Sequence, residues 1–141
     1  MITAPKSARI ALVAMAATLT MAMLPVSIAE AHHSYAATFD VDHHINLDGT
    51  VTQFGFRNPH SYIQIEVPDG KGGMVRWSVE WSGTASLARQ GINRGSLKIG
   101  DHVKVVASPS RVKGELRAQI VTLIREKDGL TWGLKPGEKV D

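Results

Sequence analysis

Two short runs of alternating residues, joined by a glycine-rich loop, constrain this chain more than any other feature. Ser61 to Val67 sets Ile63, Ile65 and Val67 on one side and Tyr62, Gln64 and Glu66 on the other. Val75 to Trp81 repeats the pattern with Val75, Trp77, Val79 and Trp81. Successive side chains of an extended strand point to opposite faces, so each run reads as a strand with one dry face. Pro68-Asp69-Gly70-Lys71-Gly72-Gly73 between them is a turn by composition. Matching the dry faces sets Val67 opposite Val75, Ile65 opposite Trp77 and Ile63 opposite Val79. Outside, Glu66 then faces Arg76 and Tyr62 faces Glu80. A slip of one residue would put Ile65 against Arg76, so the hairpin has one register. Trp77 and Trp81 are expected in the core.

The remaining segments extend this hairpin. Thr50 to Phe56 reads as a strand, separated by Asp48-Gly49 from a segment starting at Ile45 and ended by Asn58-Pro59. Thr84 to Arg89 is the one helix, with Thr84 or Ser82 as cap, Leu87 as core contact and Gly91 as stop. Gly100-Asp101 leads into a strand from His102 to Ala107. Arg111 to Gly114 is a turn, Glu115 to Arg125 a long strand, and Leu130-Thr131-Trp132 a short closing segment. Three strands, a helix and two strands is the order of an OB-fold. The expected fold is therefore mostly β: an OB-fold-like five-stranded barrel over residues 45–134, with one short helix between strands 3 and 4. A small sandwich of the same strands is the alternative. Residues 32–44 read as a His-rich N-terminal arm with Tyr35 and Phe39 as its large apolar anchors, and 135–141 as a loose C-terminal tail.

Residues 1–31 carry Lys6 and Arg9, an uncharged run from Ile10 to Ile28, and Ala29-Glu30-Ala31. A basic start, an apolar stretch and a small-x-small site are the parts of a signal peptide, so cleavage is expected between Ala31 and His32. The expected location is periplasmic or secreted, with no membrane span after cleavage. The chain has no cysteine, so its core holds the domain without disulfides. Of 16 basic and 13 acidic residues, 14 and 12 remain after residue 31. With no block of like charge, nucleic acid is not an expected partner.

His32-His33-Ser34, Asn58-Pro59-His60, Trp77-Ser78-Val79-Glu80 and Gly100-Asp101 together resemble a family of small secreted bacterial proteins of unknown function. The likeness spans most of residues 32–125. It implies a secreted β-rich domain with histidines at marked positions and carries no activity with it.

All six histidines, His32, His33, His43, His44, His60 and His102, lie beyond the expected cleavage site. Imidazole suits copper, zinc and nickel. A terminal His32 would offer its free amine and its ring to one metal, and a second histidine completes a three-nitrogen set suited to Cu(II). His33 offers another chelate through amine, amide and ring. His60, after a proline turn, is the expected remote ligand. Glu80, its diagonal neighbour on the outer face, is either a ligand or the acceptor that holds the His60 ring. The bland reading of His32-His33 is a solvated arm, of His43-His44 a polar loop beside Asp40 and Asp42, and of His102 a structural residue. Arg57, Tyr62 and Arg76 are the expected ligand-binding surface of a metal-free alternative: an OB-type module for a protein, peptide or glycan. No nucleophile–base pair, phosphate-cradling loop or dicarboxylate pair is visible, so no catalytic residue is assigned.

Overall fold

The computed structural model describes residues 35–134. The expected signal peptide at 1–31, His32 and His33, and the expected tail at 135–141 lie outside the described residues. In chain order the elements are helix α1 (Tyr35–Thr38), strands β1 (Ile45–Gly55), β2 (Tyr62–Pro68) and β3 (Met74–Glu80), helix α2 (Thr84–Arg89), then β4 (His102–Pro109), β5 (Arg117–Arg125) and β6 (Leu130–Trp132).

β2 and β3 pair in the register that their dry faces require, with Val67 opposite Val75, Ile65 opposite Trp77 and Tyr62 opposite Glu80. The Asp69 carboxylate closes their loop by accepting the backbone N–H groups of Lys71 and Gly73 at 2.7 and 2.8 Å. β1 runs antiparallel to β2 on one side and to β4 on the other. β4 pairs with β5, and β5 lies parallel to β3 through Ser78–Arg117, Val79–Ala118 and Glu80–Gln119. That last pairing closes the five-stranded barrel, with α2 between the third and fourth strands as in an OB-fold. β6 extends the sheet from β5.

Four local readings are corrected. The helix after β3 is not the one helix, because the arm carries a short helix of its own, α1. Asp48-Gly49 does not interrupt β1, which is one strand of 11 residues. Thr50 pairs with Glu66 on one side and His102 on the other, so β1 changes its principal neighbour here. A Cβ on Gly49 would lie 2.2 Å from the Glu66 carbonyl oxygen. The glycine marks a close approach of two backbones, not a turn. At the other end, β5 begins at Arg117 and not at Glu115, whose carboxylate is held across the turn by the Ser110 hydroxyl. The cap of α2 is neither Thr84 nor Ser82: Gly83 occupies the position, and the acceptor comes from Asn58. Gly91, with φ at +80°, follows the helix as expected.

Ile63, Ile65, Val79, Leu87, Val105 and Leu123 are fully buried in the barrel. The two tryptophans differ. Trp81 is 1% exposed, whereas Trp77 packs against the core from its margin and stays partly exposed.

Gly100-Asp101 has a structural use. The Asp101 carboxylate is buried, receives the Lys98 N–H at 3.0 Å, and is gripped by Arg125 and Lys127. Arg125 also donates to the Ser96 carbonyl at 2.6 Å and pairs with Asp128 at 2.8 Å. Burial pushes the Asp101 acid up, but the bonds from Lys127, Lys98 and Arg125 outweigh it and hold it at about 2. A carboxyl whose folded value is depressed stabilises the fold above its ordinary value near 3.8 and loses that contribution as pH falls towards 2. The contribution is on the order of 2 kcal/mol. Urea denaturation at pH 7, 4 and 2.5 should therefore show wild type approaching Asp101→Asn as the solution is acidified. A constant gap across that window would contradict the assignment.

Candidate functional site

The loop between β1 and β2 is fixed from several sides. Asn58 Oδ1 accepts the Thr84 N–H and hydroxyl, each at 3.0 Å, so the loop caps α2. Ser61 is fully buried, its hydroxyl bonded to the Arg57 backbone and its main chain paired with Trp81 and Ser82. Pro59, in a cis peptide bond, and His60 lie between these two anchors. This is the physical content of Asn58-Pro59-His60: the asparagine caps a helix, and the histidine is presented at a set position.

The arm is docked at its described end. Phe39 is 1% exposed and bridges to Ser110. Asp40 N–H bonds the Pro109 carbonyl at 2.8 Å, Arg111 N–H bonds the Thr38 carbonyl at 2.9 Å, and Arg111 Nε donates to the Ala36 carbonyl at 2.8 Å. These contacts fix α1 against the end of β4 and the turn after it, and Tyr35 at its start reaches the β1–β2 loop. Tyr35 Oη lies 3.2 Å from His60 Nε2, with the two rings 5.6 Å apart. Burial and the Glu80 carboxylate raise the Tyr35 phenol above its ordinary value, so it stays protonated at neutral pH.

His60 and Glu80 come together as the strand register requires. Nδ1 and Oε2 stand 3.7 Å apart, too far for a hydrogen bond. The other Glu80 oxygen, Oε1, pairs with Arg117, which also holds Glu115 at 3.2 Å and lies over the Phe39 ring. The bonds to Glu80 and then Glu115 raise the already high Arg117 value, burial notwithstanding, so this cation is permanent. Each partner of the His60–Glu80 pair thus has one atom occupied and one atom turned towards the other.

The pair stands at the edge of an open cleft of about 610 Å³, lined by the Arg57–Ser61 loop and by Tyr62, Gln64, Ser78 and Glu80. Arg57 and Tyr62 share this cleft, the guanidinium 4.8 Å from the ring centroid. Arg76 does not line it. It pairs with Glu66 at 2.7 Å nearer the β2–β3 loop. His43 bonds Asp40 at 2.8 Å, and His102 approaches Asp48 at 3.1 Å, both on the exposed surface. Among the described residues no three His, Cys, Asp or Glu side chains gather closely enough to hold a metal ion unaided. Two residues of the site, Tyr35 and Arg117, have no local sequence signal that ties them to it. Tyr35 carried only the signal of an apolar anchor, and Arg117 reaches Glu80 only through the parallel β3–β5 pairing.

Residues 21–117 match the model of a family of unknown function, DUF6152. Neither the curated proteins nor the solved structures contain a match.

Proposed function

The chain belongs to the DUF6152 family, whose function is unknown, and from the site itself we propose that this is a secreted OB-type binding protein that holds Cu(II) at its mature amino terminus. The observation that carries the reading is the 3.7 Å approach of His60 Nδ1 to Glu80 Oε2, with Nε2 met by Tyr35 and Oε1 by Arg117. Two donors about 2 Å from one ion stand about 2.8 Å apart when cis in a tetragonal set and about 4 Å when trans, so at 3.7 Å the pair needs only a small side-chain rotation to share an ion. Metal on Nδ1 leaves Nε2 protonated and donating to the Tyr35 oxygen. That is the usual way in which an outer partner fixes a ligating imidazole.

One histidine and one carboxylate do not complete a copper site. His32 precedes Tyr35 by three residues, a span that can extend to about 10 Å and so is long enough to bring His32 past Tyr35 to His60. Its amine and ring would add two nitrogens and give the tetragonal N,O set that Cu(II) prefers. Carriage or sequestration fits this arrangement better than catalysis. Metal-free recognition of a ligand by the same cleft is the second reading, favoured by its position on the first loop and strands 2–3, where OB-folds take their ligands.

Titration of the isolated protein with Cu(II), followed by electron paramagnetic resonance, tests the metal reading. His60→Ala should weaken binding by about 100-fold or more. Tyr35→Phe should weaken it by about 10-fold, at the lower end of losses from outer partners. Undiminished affinity in His60→Ala would remove the site.

A further inference from the structure

The Arg57 side chain is held in place and yet has no ionic partner. Its guanidinium lies on the Tyr62 ring at 4.8 Å, and the Tyr62 hydroxyl is in turn fixed by Gln53 Nε2 at 2.7 Å. Among the described residues no carboxylate pairs with Arg57, whereas Arg76 and Arg117 are each matched by a glutamate on the same sheet face. A guanidinium placed over a ring in this way still has forked N–H donors to offer an acceptor. Gln64 and Ser78, paired across β2 and β3, add neutral hydrogen-bonding groups to the floor of the same cleft.

We propose that Arg57 anchors a carboxylate-bearing small ligand in this cleft, by a forked pair of N–H bonds to the ligand's carboxylate. At about 610 Å³ the cleft is of a size that takes small molecules. A forked guanidinium matches both carboxylate and phosphate, so the choice between them is made by the neighbours. Glu80 lines the same cleft, with one carboxylate oxygen neutralised by Arg117 and the other facing inwards towards His60. A dianionic phosphate would double its attraction to Arg57 but also its repulsion from Glu80, and its stronger hydration costs more to remove beside one unpaired cation, so the singly charged carboxylate is the better match. Single-stranded nucleic acid is a poorer fit again: the ring that would stack a base is covered by Arg57, and no second unpaired cation lines the cleft. The proposal does not depend on copper, because Arg57 and Tyr62 are no part of the metal set.

The test is a two-dimensional ¹⁵N NMR titration of the metal-free protein with sodium acetate, with sodium chloride and sodium phosphate at matched ionic strength as comparisons. Acetate should produce saturable shifts at the Arg57 Nε–H and at the amides of Tyr62, Gln64 and Ser78. Chloride should produce none of these, and phosphate should bind more weakly than acetate. Arg57→Gln should weaken acetate binding by about 10-fold or more, the loss of a charge-assisted forked pair. Arg57→Lys should weaken it several-fold, since the charge is kept and the fork is lost. Both variants should leave the remaining amide spectrum unchanged, because the side chain is exposed. Equal shifts with chloride, equal acetate binding in Arg57→Gln, or tighter binding of phosphate would each overturn the proposal. None of these results bears on whether Cu(II) binds at His60.

Discussion

Trp81→Ala is expected to lower the unfolding free energy by about 3–5 kcal/mol, the range for a large aromatic deleted from a core. Trp81 is 1% exposed and meets Phe54 at 6.2 Å and Trp132 edge-on at 5.2 Å between ring centroids. Its truncation would therefore leave a void bounded by β1, β6 and the end of β3, which a closed barrel cannot collapse to fill. The indole N–H finds no acceptor among the described residues, so Trp81→Phe removes no hydrogen bond and should cost less, about 1–2 kcal/mol. Trp77→Ala should also cost less than Trp81→Ala, because Trp77 covers the core from its margin and is already partly in water. Urea denaturation of the three variants gives the order directly. A Trp77→Ala loss equal to or larger than that of Trp81→Ala would mean that the barrel is centred elsewhere.

The comparison of the two tryptophans shows where the sequence was legible and where it was not. Both lie in the same alternating run, so periodicity gives them one face and cannot say which is deeper. Depth depends on how the barrel closes, which brings β6 and Trp132 onto Trp81. The β2–β3 register was readable because a one-residue slip sets an aliphatic residue against a charge, as with Ile65 and Arg76. The extent of α2 was readable because Gly91 ends it locally.

What escaped the sequence had nonlocal causes. Gly49 looks like a turn residue from its neighbour Asp48, but its reason is the Glu66 carbonyl 17 positions away. Asn58 looks like part of a proline turn, but it also caps a helix 26 residues later. The hairpin register makes His60 and Glu80 neighbours, and the two side chains stand 3.7 Å apart. Tyr35 and Arg117, which occupy the other atom of each, come from the arm and from β5. No spacing rule links either to the hairpin. His32 and His33, on which the metal reading turns, lie outside the described residues.

The free α-amine is the part of the copper account that no other reading of the chain requires. A histidine brace needs the amine and the ring of the same terminal residue, and blocking the amine takes away one nitrogen and the chelate ring with it. Loss of a direct ligand should exceed the 10–100-fold cost seen even for outer partners of a metal, so about 100-fold is the least expected. An interior surface histidine would lose nothing. The decisive measurement is accordingly a Cu(II) titration, read by electron paramagnetic resonance, of protein beginning at His32 beside protein extended by one amino-terminal methionine. The account predicts one tightly held Cu(II) with three nitrogen ligands in the first, and at least about 100-fold weaker binding with fewer nitrogens in the second. Equal affinity and the same nitrogen count in both would contradict it.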